Sequence, residues 1–80
     1  MKELLSKAQV LQTKYCDVCD IGVHTDCIDG ALAVVSVECF SDTDRYEHVF
    51  TEDDADTHQH FWTQLVKFLH DAAQQRQKNA

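Results

Sequence analysis

Apolar residues recur at Leu4, Leu5, Ala8 and Leu11, the i, i+1, i+4, i+7 spacing of one helix face, while Lys2, Glu3, Lys7, Gln9 and Gln12 fall mostly elsewhere. The spacing predicts a first helix over residues 2–12. From Tyr15 the period changes to two. Tyr15, Asp17, Cys19, Ile21 and Val23 alternate with Cys16, Val18, Asp20 and Gly22, which predicts a strand with Cys19, Ile21 and Val23 on its core face. Asp29-Gly30 tolerates the positive φ that both central positions of a type I′ hairpin turn require. It leads into residues 31–40, rich in β-branched side chains and predicted as the central strand, with Ala33, Val35, Val37 and Cys39 on one side. Turn formers Ser41 to Asp44 precede a third strand, Arg45 to Thr51, with Tyr46, His48 and Phe50 on one face. Thr51-Glu52-Asp53-Asp54 has the form of a helix start, a hydroxyl cap followed by acids in the first turn. Phe61, Leu65, Phe68, Leu69 and Ala72, widened by Trp62 and Val66, make the apolar stripe of a long C-terminal helix whose tail is expected to fray after about Gln77.

The order is α-β-β-β-α. The expected architecture is α+β, a three-stranded antiparallel meander with the N- and C-terminal helices packed on one face, because this order needs no crossover connection. At 80 residues the chain has room for one core, so residues 1–80 are read as a single domain. Pro is absent and Gly occurs only at 22 and 30, leaving neither a flexible linker nor a phosphate-cradling loop. The longest apolar run, Ala31 to Val35, is too short to span a membrane, and no basic stretch followed by an apolar one marks a signal peptide. A cytoplasmic setting is therefore expected, with the four cysteines as thiols.

Charge changes the picture, because the net −7 is unevenly placed. Residues 1–37 carry five acids against three lysines, 38–56 carry eight acids against Arg45 alone, and 57–80 carry Asp71 against Lys67, Arg76 and Lys78. The segment nets are −2, −7 and +2. No basic stripe is available to neutralise phosphates, which argues against direct nucleic-acid binding.

The sharpest local pattern is Cys16-x2-Cys19-x4-His24-x2-Cys27. Thiolate and imidazole are the ligands tetrahedral zinc prefers, and a small domain gains folding free energy from such an ion. Up to His24 the spacing resembles the zinc knuckle of retroviral nucleocapsid proteins, C-x2-C-x4-H-x4-C. It then departs, since the last Cys comes two residues early and acids stand where the knuckle is basic. The competing reading makes Cys19 and Cys39 small buried hydrophobes of the sheet core. His24, His48, His58 and His70 show no ligand spacing of their own, and Asp54/His58 and Asp56/His60 read as surface pairs on a helix. The acids from Asp42 to Glu52 lack the Gly and terminal Glu of a calcium loop. With no G-x-S-x-G, H-E-x-x-H or P-loop, catalysis is not expected.

The acidic segment 38–56 admits two readings. Turns and helix starts collect Asp and Glu for local reasons, leaving a solvated face. Alternatively the carboxylates form a negative patch that docks on a basic surface of a partner protein and imitates phosphates there. Its contact residues would be Asp42, Asp44, Glu47, Glu52, Asp53, Asp54 and Asp56.

A very short, acidic, cysteine-bearing, motif-free α+β chain resembles the small anti-defence proteins of phages and mobile elements, among them the anti-CRISPR inhibitors. The resemblance rests on size, charge and architecture and transfers no residue roles. It implies stoichiometric inhibition of a nucleic-acid-handling complex. Beside this non-enzymatic binding module stand a zinc-stabilised adaptor using Cys16, Cys19, His24 and Cys27, and an interaction protein that works as a homodimer.

Overall fold

In a computed structural model, which describes residues 1–78, the chain runs α1 (Lys2–Lys14), β1 (Asp20–Ile28), β2 (Ala31–Phe40), β3 (Arg45–Thr51), a 3-10 segment (Glu52–Thr57) and α2 (His58–Lys78). The strands form one antiparallel sheet in the order β1-β2-β3. Both helices contribute to a single core on one face of that sheet, so the α-β-β-β-α meander expected from the sequence is the fold. Helix α2 extends past Gln77 to Lys78, and the fraying expected further on lies outside the described residues.

The core follows from the two periods. Ala8 and Leu11 of α1, Val35, Val37 and Cys39 of β2, Phe50 of β3, and Leu65 and Leu69 of α2 are buried. Phe50, Leu65, Leu69, Val35 and Val37 are fully so, and each such side chain contributes about 1.5–3 kcal/mol of transfer free energy. Around them Tyr46 lies against Phe68 and Phe50 against Trp62, with ring centroids 5.9 and 6.2 Å apart.

Strand β1 begins at Asp20, not at Tyr15. The amide of Tyr15 donates to Leu11 O and that of Cys19 to Tyr15 O, both at 3.0 Å, so the chain keeps a helical rise through this turn before extending. Leu11, Tyr15 and Cys19 are all buried because they stand four apart, a spacing that also satisfies a period of two. Arg76 from the last turns of α2 holds the turn in place by donating to the main-chain oxygens of Asp17 and Val18. The start of the C-terminal helix also differs from expectation. The acids Glu52, Asp53, Asp54 and Asp56 lie in the 3-10 segment, and α2 opens at His58 with no acid in its first turn. Thr51 caps no main-chain amide there; its hydroxyl donates to Asp54 Oδ2 at 3.0 Å.

The β1–β2 turn is formed by Asp29 at φ 55 and Gly30 at φ 79. Regular pairing outward from it, starting at Ile28 opposite Ala31, would set Val23 against Ser36 and Ile21 against Glu38, apolar against polar. A bulge prevents this: Asp26 pairs with Val34 but Cys27 with Leu32, leaving Ala33 as the extra residue on β2. Beyond it Val23 pairs with Val37 and Ile21 with Cys39, which restores the apolar match. The bulge also corrects the grouping of Ala33 with Val35, since Leu32 is the residue that reaches the core at this end.

Candidate functional site

The face of the sheet away from the helices is built in four rows by the pairing register. Asp20, Phe40 and Arg45 form the first; Gly22, Glu38 and Glu47 the second; His24, Ser36 and Val49 the third; Asp26, Val34 and Thr51 the fourth. Four carboxylates and Arg45 share this surface, among apolar side chains that remain open to solvent, with Val49 52% and Phe40 39% exposed. Exposed apolar groups among predominantly negative charge are the makings of a docking surface.

Its electrostatics are one-sided. Glu38 and Glu47 are directly opposed across β2 and β3. Each has a different neighbour at hand: Glu38 Oε2 lies 3.9 Å from His24 Nε2, and Glu47 Oε1 lies 3.7 Å from Arg45 Nη2. Gly22 matters here because it has no side chain. A Cβ at that position would stand 3.4 Å from His24 Nε2 and 3.8 Å from Glu38 Oε2, so the His24 imidazole and the Glu38 carboxylate meet over Gly22 at the β1 side. The acids of this face belong to a longer run: residues 15–44 hold Asp17, Asp20, Asp26, Asp29, Glu38, Asp42 and Asp44 with no Lys or Arg.

The seven acids picked out by segment charge do not form one patch. Asp42 and Asp44 lie in the turn before β3, Glu52, Asp53, Asp54 and Asp56 in the 3-10 segment after it, and the seven residues of β3 put about 20 Å between the two groups. Only Glu47 reaches the helix-free sheet face. Two of the others have local work. The Asp44 carboxylate accepts from the amide of Arg45 at 2.9 Å, and its own amide donates to Ser41 Oγ at 3.0 Å, closing the turn. Asp54 takes the Thr51 hydroxyl, and its main-chain oxygen accepts from Thr57 Oγ1 at 2.7 Å. Asp20 and Asp26 lie outside the acidic segment and Glu38 at its first position, and a segment count ignores the strand parity that brings them together. The alternation of β1 with a gap in basic residues from 15 to 44 was the available signal.

The cysteine pattern is pulled apart by the fold. Cys16 lies exposed in the turn after α1, Cys19 is buried at the entrance to β1, His24 points to the helix-free face, and Cys27 is exposed near the far end of β1. Eight residues separate Cys19 from Cys27 along an extended strand, about 26 Å. Four ligands strung out in this way cannot share one ion, and among the described residues no three His, Cys, Asp or Glu side chains gather as a metal site. The zinc quartet is corrected accordingly.

The remaining thiols and imidazoles have structural surroundings. Burial, and then the neighbouring Cys19, push the Cys39 thiol up to about 12, and burial raises Cys19 as well. His48 stacks on Phe61 with ring centroids 3.9 Å apart and meets Phe50 edge-on at 4.6 Å. Burial and then the nearby His58 lower its pKa, against a smaller raising effect of Asp54. His58 Nε2 lies 2.7 Å from Thr51 O, tying the start of α2 to the end of β3. No described helix is long and apolar enough to cross a membrane. Comparison with protein-family models, with curated proteins and with solved structures gives no match to this chain.

Proposed function

We propose that this chain is a non-enzymatic binding module whose helix-free sheet face docks on a basic surface of a protein partner. The observation that carries the reading is the gathering of Asp20, Asp26, Glu38 and Glu47 on one face together with exposed Phe40 and Val49. Apolar area supplies affinity once water is excluded, while the carboxylates speed encounter and select a cationic partner. A catalytic reading has less support, because Cys39 is held as a buried thiol and His48 and His58 are occupied by an aromatic stack and a main-chain oxygen.

The more specific form of the proposal is a stoichiometric inhibitor of a nucleic-acid-handling complex. A groove made to neutralise phosphates offers Lys and Arg to the carboxylates that outnumber Arg45 on this face. The test is affinity capture from host lysate with mass spectrometry, run in parallel with the variant carrying Asp20→Lys, Glu38→Lys and Glu47→Lys. The expected result is a basic partner retained at about 50 mM salt, released by about 0.5 M salt, and missed by the variant. A partner held equally well by both proteins, with the same salt tolerance, would overturn the reading. The inhibitor form is tested by adding the protein to that partner and its nucleic acid, where it must displace nucleic acid at one equivalent.

A further inference from the structure

Strand β1 is an edge of the sheet, nine residues long and free of proline, with its main chain unpaired on the side away from β2. Such an edge accepts a further strand unless something blocks it. One point is covered: the Gln12 side chain of α1 donates to Ile21 O at 2.9 Å. Past it, His24 to Ile28 are exposed, and among the described residues no main-chain group there bonds outside the sheet.

The side chains along this open stretch specify what fits. A strand laid beside β1 sets alternate residues over Gly22, His24 and Asp26 on the helix-free face. A cation opposite Asp26 meets that carboxylate directly. A cation opposite Gly22 has Glu38 as its nearest acid across the missing side chain, beside the His24 imidazole that leans over Gly22. The intervening residues of the added strand fall on the other side, next to Val23 and Thr25. We infer that β1 is a strand-accepting edge, which pairs along Gly22–Ile28 with an extended segment of the partner carrying lysine or arginine four residues apart. The inference rests on the acidic-docking reading above and adds to it a main-chain register. A second copy of this chain is a poor occupant. Antiparallel self-pairing about Val23 would oppose Asp20 to Asp26 twice, and although pairing about Thr25 would set Asp26 against His24, in either register each chain brings a net −7.

The probe is a blocked peptide of about nine residues alternating lysine and threonine, compared with the same peptide N-methylated throughout and with a glutamate-threonine version. Binding is followed by titration, and the β1 amides by hydrogen exchange. The lysine peptide is expected to bind at least tenfold more tightly than either control and to slow exchange at Val23 and Thr25. Asp26→Asn, and Gly22→Thr, which fills the lane to Glu38, should each weaken it several-fold while the far-ultraviolet spectrum stays unchanged. Equal affinity for the lysine peptide and its N-methylated form would overturn strand addition and leave charge-driven docking standing. Binding of none of the peptides, or of the glutamate version equally, would overturn both. Slowed β1 exchange without peptide, together with a dimer in sedimentation, would assign the edge to a second copy instead.

Discussion

Reversing Glu38 to lysine should make the protein more stable while damaging the surface proposed to bind. Glu38 and Glu47 are directly opposed on the helix-free face, an arrangement in which like charges destabilise a sheet. Cross-strand charge pairs are worth roughly 0.2–1 kcal/mol in either sense, so turning a repulsion into an attraction gives a swing of about 0.5–1.5 kcal/mol. The side chains are 34% and 52% exposed, and the screening this implies favours the middle of that range, about 1 kcal/mol. For a domain of this size that is a rise in Tm of roughly 4–8 °C. Relief of the net −7 would also stabilise any acid-to-lysine variant, so the pair must be isolated with a double-mutant cycle. Glu38→Lys, Glu47→Lys and the double variant are melted by circular dichroism at low salt and again at about 1 M salt, where the Debye length falls to about 3 Å. The double variant restores a like-charge pair and should fall short of the summed single gains, a coupling that high salt should shrink. Additive single effects, with no coupling at low salt, would refute the electrostatic account of this face.

The other predictions concern the scaffold. Gly30→Ala meets no atom within 4 Å but must adopt φ +79, so it should cost about 1–2 kcal/mol, read as a lower urea midpoint; an unchanged midpoint would show that the turn relaxes away from this conformation. The His48 pKa is lowered from 6.5 in the folded protein, so the unfolded chain takes up the proton more readily. The stability held by neutral His48 should therefore be complete above about 6.5 and fall as pH drops through that value towards the depressed one, and His48→Phe should flatten this part of the Tm profile. Phe50→Ala should cost about 3–5 kcal/mol and leave the domain at the margin of unfolding, by chemical denaturation. A thiol-specific reagent should modify Cys16 and Cys27 quickly and Cys19 and Cys39 only with unfolding; fast reaction of all four would contradict the burial.

The elements were legible because each apolar stripe serves one dominant contact. Leu65 and Leu69 lie on a helical stripe, Val35 and Val37 on a strand, and Asp29-Gly30 admits few conformations besides its turn. Legibility failed where one spacing satisfies two periods, as from Leu11 through Tyr15 to Cys19, so that a turn reads as the start of a strand. It failed again at Thr51, where a hydroxyl ahead of three acids matches a capping sequence but bonds a side chain in a 3-10 segment. The candidate surface was harder to find for a different reason. Asp20, Asp26, Glu38 and Glu47 are scattered along the chain and come together only through pairing register, whereas Asp42 to Asp56 are clustered in sequence and divided in space.

The bulge at Ala33 has a consequence for how this chain can change over generations. It supplies the one-residue offset that keeps Val35, Val37 and Cys39 facing the helices while the hairpin turn keeps its two-residue form. Substitutions at Ala33 leave that offset intact and should be tolerated when the side chain is small. Deletion of the same residue should also be tolerated, because Leu32 stays opposite Cys27 and Val34 opposite Asp26, whereas a residue lost or gained between Val34 and Phe40 slips the rest of β2 by one and turns its side chains over. The sheet beyond the bulge is thus open to replacement but closed to single-residue insertions and deletions, and length variation among any descendants should collect at Ala33 itself, in the 41–44 turn and at the chain ends.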